Sequence, residues 1–255
     1  MNRIIPQDGI AVVTGAGSGL GRALVIELAS RGFTVVGVGR RSAALEETRA
    51  LAGGSVHVAP LDVAKFDDVI AEFARIEDTF GPVALLINNA AIYPHRDILD
   101  ETPESFMHSV NVNLGGTLAC SHAALKGMVT RGQGRILNVA TYADIAPLPA
   151  SAAYSVSKGA ARILTRALVA DLADRFPDIV IGDWMPGMLR TGMGIPGGLP
   201  PQVSAKWGVE LALMRDPGLT GTTFEQNREV LPPQGLKSKV KSLVLMRRRR
   251  PRTIG

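Results

Sequence analysis

The feature that most constrains this chain is a glycine-rich turn held between a short apolar run and a helical pattern. Ile10-Ala11-Val12-Val13 is apolar and largely β-branched, as a buried strand is. It leads directly into Thr14-Gly15-Ala16-Gly17-Ser18-Gly19-Leu20-Gly21. From Leu20 to Ser30 the leucines recur as Leu20, Leu24 and Leu28, one face of a helix that Gly32 closes. Such a unit lets a phosphate approach the backbone closely and offers it the unpaired N–H groups of a helix start. A glycine cluster also serves as an ordinary turn, so its position between strand and helix carries the argument.

The same alternation continues along the chain. Thr34–Val38, Ser55–Ala59, Ala84–Asn88, Ile136–Val139 and Ile179–Ile181 read as further strands, with helical stretches between them. One helix has a clear start, with Thr102 as N-cap, Pro103 in the first position and Glu104 in the first turn. The strands are apolar almost throughout, so both faces must be covered. That predicts an α/β fold, a doubly wound and mostly parallel sheet with helices on each side. With 255 residues and no linker-like segment, one large domain is expected over 1–235, with a substrate loop near 188–205 and a basic tail over 236–255.

Charge separates the tail from the body. Eight of the 28 basic residues lie in 236–255, which leaves 20 against 23 acidic residues and a net −3 for the rest. Nucleic acid is therefore not an expected partner. The tail reads as a solubilising appendage, with peripheral contact to an anionic membrane as the alternative. Cys120 stands alone, so no intrachain disulfide forms, and His57, His95, His108 and His122 lack ligand spacing, so no metal is expected. No signal-like N-terminal run or spanning segment is present, and a cytoplasmic protein is the expectation.

Two further features bear on chemistry. A dinucleotide's adenosine ribose would meet the end of the second strand, where Gly37-Val38-Gly39-Arg40-Arg41-Ser42 offers two arginines and no carboxylate. An acid there would hold a free 2′-hydroxyl, whereas arginines suit a 2′-phosphate, so NADP(H) is favoured over NAD(H). Two solvent-facing arginines are the plainer alternative. Tyr154 and Lys158 stand four apart and share a helix face, where an ammonium would lower the phenol's pKa and suit it to proton transfer. Ordinary helix packing explains such a pair equally well by itself.

Taken in order, these motifs resemble the short-chain dehydrogenase/reductase family over roughly residues 8–225. The likeness rests on Thr14-Gly15-x-x-x-Gly19-x-Gly21, Asp62-Val63, Asn88-Asn89-Ala90-Ala91, Asn113-Leu114-Gly115, Tyr154-x-x-x-Lys158 and Pro186-Gly187-Met188-Leu189-Arg190-Thr191. The resemblance implies a single Rossmann-fold domain and hydride transfer between a nicotinamide cofactor and a carbonyl or alcohol carbon. It implies Tyr154 as general acid or base, Lys158 beside it, Asn113 holding a water, and Thr141 in the place of the substrate-orienting serine. The cofactor set becomes Thr14, Gly15, Gly17, Ser18, Gly19, Leu20, Gly21, Arg40, Arg41, Asp62, Val63, Asn89, Ala90, Tyr154, Lys158, Pro186, Gly187 and Thr191. A homodimer through the helices beginning near Glu104 and Ala153 is expected, with a tetramer as the alternative.

Three departures qualify this reading. Thr141 keeps the donor hydroxyl but adds a methyl beside the substrate. Ala91 replaces a usual glycine and would be strained at positive φ. Asp183, near the end of the last strand, needs a donor if buried. The uncharged stretch after Thr191 points to an apolar carbonyl or alcohol substrate. The competing reading is a nucleotide-binding regulatory or scaffold protein that kept the fold and lost turnover.

Overall fold

The computed structural model describes residues 3–231 and 250–254. Its strands are β1 (Ile10–Thr14), β2 (Val35–Gly39), β3 (Val56–Pro60), β4 (Val83–Asn88), β5 (Gly134–Val139), β6 (Ile179–Met185), β7 (Thr223–Glu225) and β8 (Arg228–Val230). They form one sheet in the order β3-β2-β1-β4-β5-β6-β7-β8. Every pairing from β3 to β7 is parallel, and β8 returns antiparallel to β7. This is the doubly wound α/β domain that the apolar strands require. Ala11 and Val13 enter one core with Leu24 and Leu28, while Ile10 and Val12 enter another with Phe73 and Met128. Burial on both faces removes any reason for a strand to alternate with polar residues.

Helix α1 (Gly19–Ser30) follows β1, α2 (Ser42–Ala52) follows β2 and α3 (Phe66–Phe80) follows β3. After β4 comes α4 (Pro103–Val110), which runs through a π-helical turn at Asn111–Gly115 into α5 (Gly116–Arg131). Thr102 caps α4 by accepting from the Ser105 N–H, as its sequence predicts. Helices α6 (Ala152–Leu172) and α7 (Pro201–Leu213) flank β6. Reversal of strand order between β1 and β4 opens a crevice at the carboxyl ends of the strands, where ligands bind in such sheets.

The sequence reading needs correction at its edges. Strand β6 runs four residues past Ile181, because its register with β5 continues through Asn138↔Asp183 and Val139↔Trp184. The substrate loop expected over 188–205 ends sooner, because Pro201 starts α7. Beyond the strands read from the sequence, Thr223–Glu225 forms β7, and Gln226-Asn227 turns it into β8 with Gln226 at φ +50°. Of the basic tail, residues 236–249 and 255 lie outside the described residues. Its described end packs onto β8: Arg252 pairs with Glu229 through Nε and Nη2 at 2.9 and 3.0 Å, and Ile254 is buried. No described helix is long and apolar enough to cross a membrane.

Candidate active site

A cleft of about 1260 Å³ lies along the carboxyl ends of the strands. Its floor begins at the glycine turn. Gly19 takes φ +52°, and a Cβ on Gly21 would stand 2.0 Å from the Gly15 carbonyl oxygen, so only glycine fits there. Ser18 precedes α1 without a side-chain capping bond, which leaves the helix N–H groups open towards the cleft. These donors and the bare glycine backbone fit a dinucleotide pyrophosphate. Arg22 fixes the turn from behind, donating to the Gly17 carbonyl at 2.9 Å and to both Glu47 oxygens at 2.8 and 2.7 Å. At the far end Arg40 and Arg41 are exposed on the cleft rim, and Arg41 Nη2 reaches Ser18 Oγ at 3.5 Å.

The other half of the cleft is assembled around α6. Tyr154 lies in its first turn and Lys158 one turn later, both lining the cleft. Lys158 is buried and donates from Nζ to the Val139 carbonyl at the end of β5. Thr141 leads into a short 3₁₀ turn, Tyr142–Asp144, and its Oγ1 accepts from the Ala143 N–H at 3.2 Å. Arg162 of α6 donates to both Asp144 oxygens at 3.0 and 2.9 Å, which pins that turn, and so Thr141, beside Tyr154. Asn113 sits in the π-helical turn with its amide engaged. Its Oδ1 accepts from the Ile92 N–H at 2.8 Å, and its Nδ2 donates to the Ile92 carbonyl at 3.0 Å and to Ser157 Oγ at 2.9 Å. Widening of a helix at a functional position is the usual setting for such a turn.

Burial dominates the electrostatics. It pushes the Tyr154 phenol above its ordinary value; the Thr141 side chain opposes the rise, while Tyr93 and Asp144 add to it. Burial lowers Lys158 to about 8, against the attraction of Asp183 and then Asp144. The sequence predicts a phenol lowered by the ammonium, and the structure reverses that direction. Desolvation of the phenolate is the largest influence, and the Lys158 ammonium faces the Val139 carbonyl instead. Asp183 has the donor it needs: Thr165 Oγ1 donates to its Oδ1 at 2.6 Å, and Asn138 Nδ2 donates to Thr165 at 2.9 Å. Burial nevertheless raises Asp183 to about 6.

The family model described as short chain dehydrogenase matches residues 9–197. The chain belongs to the short-chain dehydrogenase family. An uncharacterized oxidoreductase of Staphylococcus aureus is 34% identical over 187 residues, 73% of this chain and 80% of that protein. A 3beta-hydroxysteroid dehydrogenase of Mediterraneibacter gnavus is 36% identical over 173 residues, covering 66% of this chain and 62% of that one. Among solved structures, a variant of actinorhodin polyketide ketoreductase with NADPH superposes with a TM-score of 0.79 at 26% identity, over 87% of this chain and 97% of that one. The protein is accordingly an NAD(P)-dependent dehydrogenase/reductase.

Of the catalytic and cofactor residues expected for this dehydrogenase, all but Thr14 and Asn113 line the cleft. Thr14 is buried, its Oγ1 accepting from the N–H groups of Asn89 and Ala90 at 3.0 Å each, so it joins the ends of β1 and β4 beneath the site. Ala91 is not among the described residues at positive φ, and its methyl brings no strain there. The motifs pass over Tyr142, which donates to Glu225 Oε2 at 3.0 Å across the mouth, and over Arg22 and Asp144. One signal was available: the chain has three tyrosines, and all three line this cleft.

Proposed function

We propose that this dehydrogenase transfers hydride between NADP(H) and the carbonyl or alcohol carbon of a small apolar substrate. The observation that carries this reading is the convergence of Tyr154, Lys158 and Thr141 on the cleft that begins at the glycine turn. Bound NADP(H) supplies or accepts the hydride. Tyr154 exchanges the proton with the substrate oxygen, and Thr141 donates to that oxygen and orients it. Lys158, one turn after Tyr154 on the cleft wall, would help hold the cofactor. Arg40 and Arg41 would meet the ribose 2′-phosphate.

Apolar side chains at the mouth support the substrate class. Met188, Met193, Ile195 and Leu148 line the cleft yet remain exposed, and the nearby Glu225 carboxylate is engaged by Tyr142. A homodimer through α4, α5 and α6 also belongs to this reading, since Met107, Leu118, Val156 and Ile163 expose apolar side chains on these helices. Sedimentation of Ile163→Glu beside the parent tests the dimer. A panel of ketones and alcohols assayed with NADPH and NADH tests the reaction. NADPH-dependent reduction of apolar ketones is the expected result; NADPH binding with no turnover of any member would favour the scaffold alternative.

A further inference from the structure

Two of the three tyrosines in the cleft touch each other. The rings of Tyr93 and Tyr154 stack with centroids 4.5 Å apart and planes 16° from parallel. His95 stacks in turn on Tyr93 at 3.7 Å and 26°. This three-ring stack is tied down at both ends. Ile92, the residue before Tyr93, is held through its N–H and its carbonyl by Asn113 at 2.8 and 3.0 Å. His95 takes φ +48°, a left-handed conformation that a non-glycine residue keeps only when its surroundings impose it. Arg96 then pairs with Glu101 at 2.9 Å, closing the segment. Tyr93 therefore presents its ring from a fixed backbone.

We propose that Tyr93 is a specificity-determining residue: its ring shields one side of the Tyr154 ring, admitting slim carbonyls to the phenol oxygen and turning away carbonyls flanked by a fused ring. The role rests on the reading of Tyr154 as the proton donor. Stacking of this kind also holds the Tyr154 plane, because near-parallel aromatic pairs add attraction beyond their burial. Replacing the ring by a methyl group opens the flank that it fills. Phenylalanine keeps the ring and loses the hydroxyl alone.

Two measurements test this on Tyr93→Ala, Tyr93→Phe and the control Tyr142→Phe, each checked for a parent-like melting transition. The first is the ratio of kcat/KM for 1-tetralone to that for ethyl acetoacetate with NADPH. Tyr93→Ala should shift the ratio towards the bicyclic ketone by about two- to tenfold, the scale of one aromatic contact, and Tyr93→Phe should keep the parent ratio. An unshifted ratio in Tyr93→Ala, or an equal shift in Tyr93→Phe, overturns the proposal. The second uses tyrosine labelled with ¹³C at Cζ, for which the three tyrosines give three resonances. Loss of Tyr93 should move the Tyr154 resonance, and Tyr142→Phe should leave it in place. An unmoved Tyr154 resonance in Tyr93→Ala overturns the stack whether or not either ketone turns over. A moved resonance in a protein that reduces neither ketone overturns the reduction instead, and the specificity role with it.

Discussion

The two halves of the cleft are built by different means. The proposed cofactor half is mostly backbone: a glycine turn that excludes side chains, a helix start with open N–H groups, and a rim of two arginines. The proposed substrate half is side chains borrowed from distant segments, with Tyr93, Thr141, Tyr154 and Met188 arriving from four parts of the chain. The first half is set by local sequence and tolerates little change. The second is set by tertiary contacts, such as Arg162 on Asp144 and Asn113 on Ile92, and can be altered at its edge without loss of fold. If this contrast is right, substitutions in the cofactor half should act on binding, and those in the substrate half on turnover or selectivity.

The largest effect is expected at Gly21. An alanine methyl would fall 2.0 Å from the Gly15 carbonyl oxygen and 2.7 Å from Asn89 Nδ2, so the turn must move. Gly21→Ala should abolish measurable NADPH binding in calorimetry, whereas parent-like affinity would show that the turn is not the cofactor cradle. Next is Thr141→Ala, which removes the proposed donor to the substrate oxygen. It should cost roughly 2–4 kcal/mol in kcat/KM with little change in NADPH affinity. Thr141→Ser should restore most of the rate, and an unimpaired alanine variant would remove Thr141 from the proposed chemistry.

A smaller effect is expected at the rim. Loss of one charge-assisted bond at Arg40→Ala should weaken NADPH by about ten- to a hundredfold and affect NADH much less. Gly39→Asp sharpens the point, because a Cβ there would meet Leu45 Cδ2 at 3.4 Å, close but not blocked. That variant should shift preference towards NADH, and unchanged preference in both variants would place cofactor choice elsewhere.

The smallest effect is on stability. Asp183 has a folded pKa of about 6 against an ordinary 3.8, so the folded protein holds this proton more tightly than the unfolded chain. The favourable contribution is present below about 4 and is lost as pH rises through about 6. Asp183→Asn should therefore flatten that part of the stability profile and raise stability at pH 7 by about 1–3 kcal/mol. Urea denaturation at several pH values between 4 and 7 checks it; an unchanged slope would mean that the carboxylate is better solvated than its burial implies.

How much of this was legible in the sequence follows the same division. Periodic apolar runs and the glycine turn announce the sheet, its helices and the cofactor half, because backbone constraints are local. The apolar signal of strand β6 stops at Ile181 because Gly182 and Asp183 interrupt the run, and the Thr165 hydroxyl that satisfies Asp183 lies on another element. The β7–β8 turn was hidden because Gln226-Asn227 carries none of the usual glycine signal for a two-residue hairpin. Tyr154 and Lys158 could be paired by their spacing, but the direction of the phenol's shift could not. That direction depends on how much water the fold removes from the ring and on where the ammonium points, neither of which spacing encodes.

The central claim is that the two halves meet at Tyr154, whose hydroxyl serves the reaction. Tyr154→Phe keeps the ring and its stack on Tyr93 and removes the hydroxyl alone. NADPH affinity by calorimetry should stay close to that of the parent while ketone reduction by the same preparation becomes undetectable. Retained reduction by Tyr154→Phe would contradict the account.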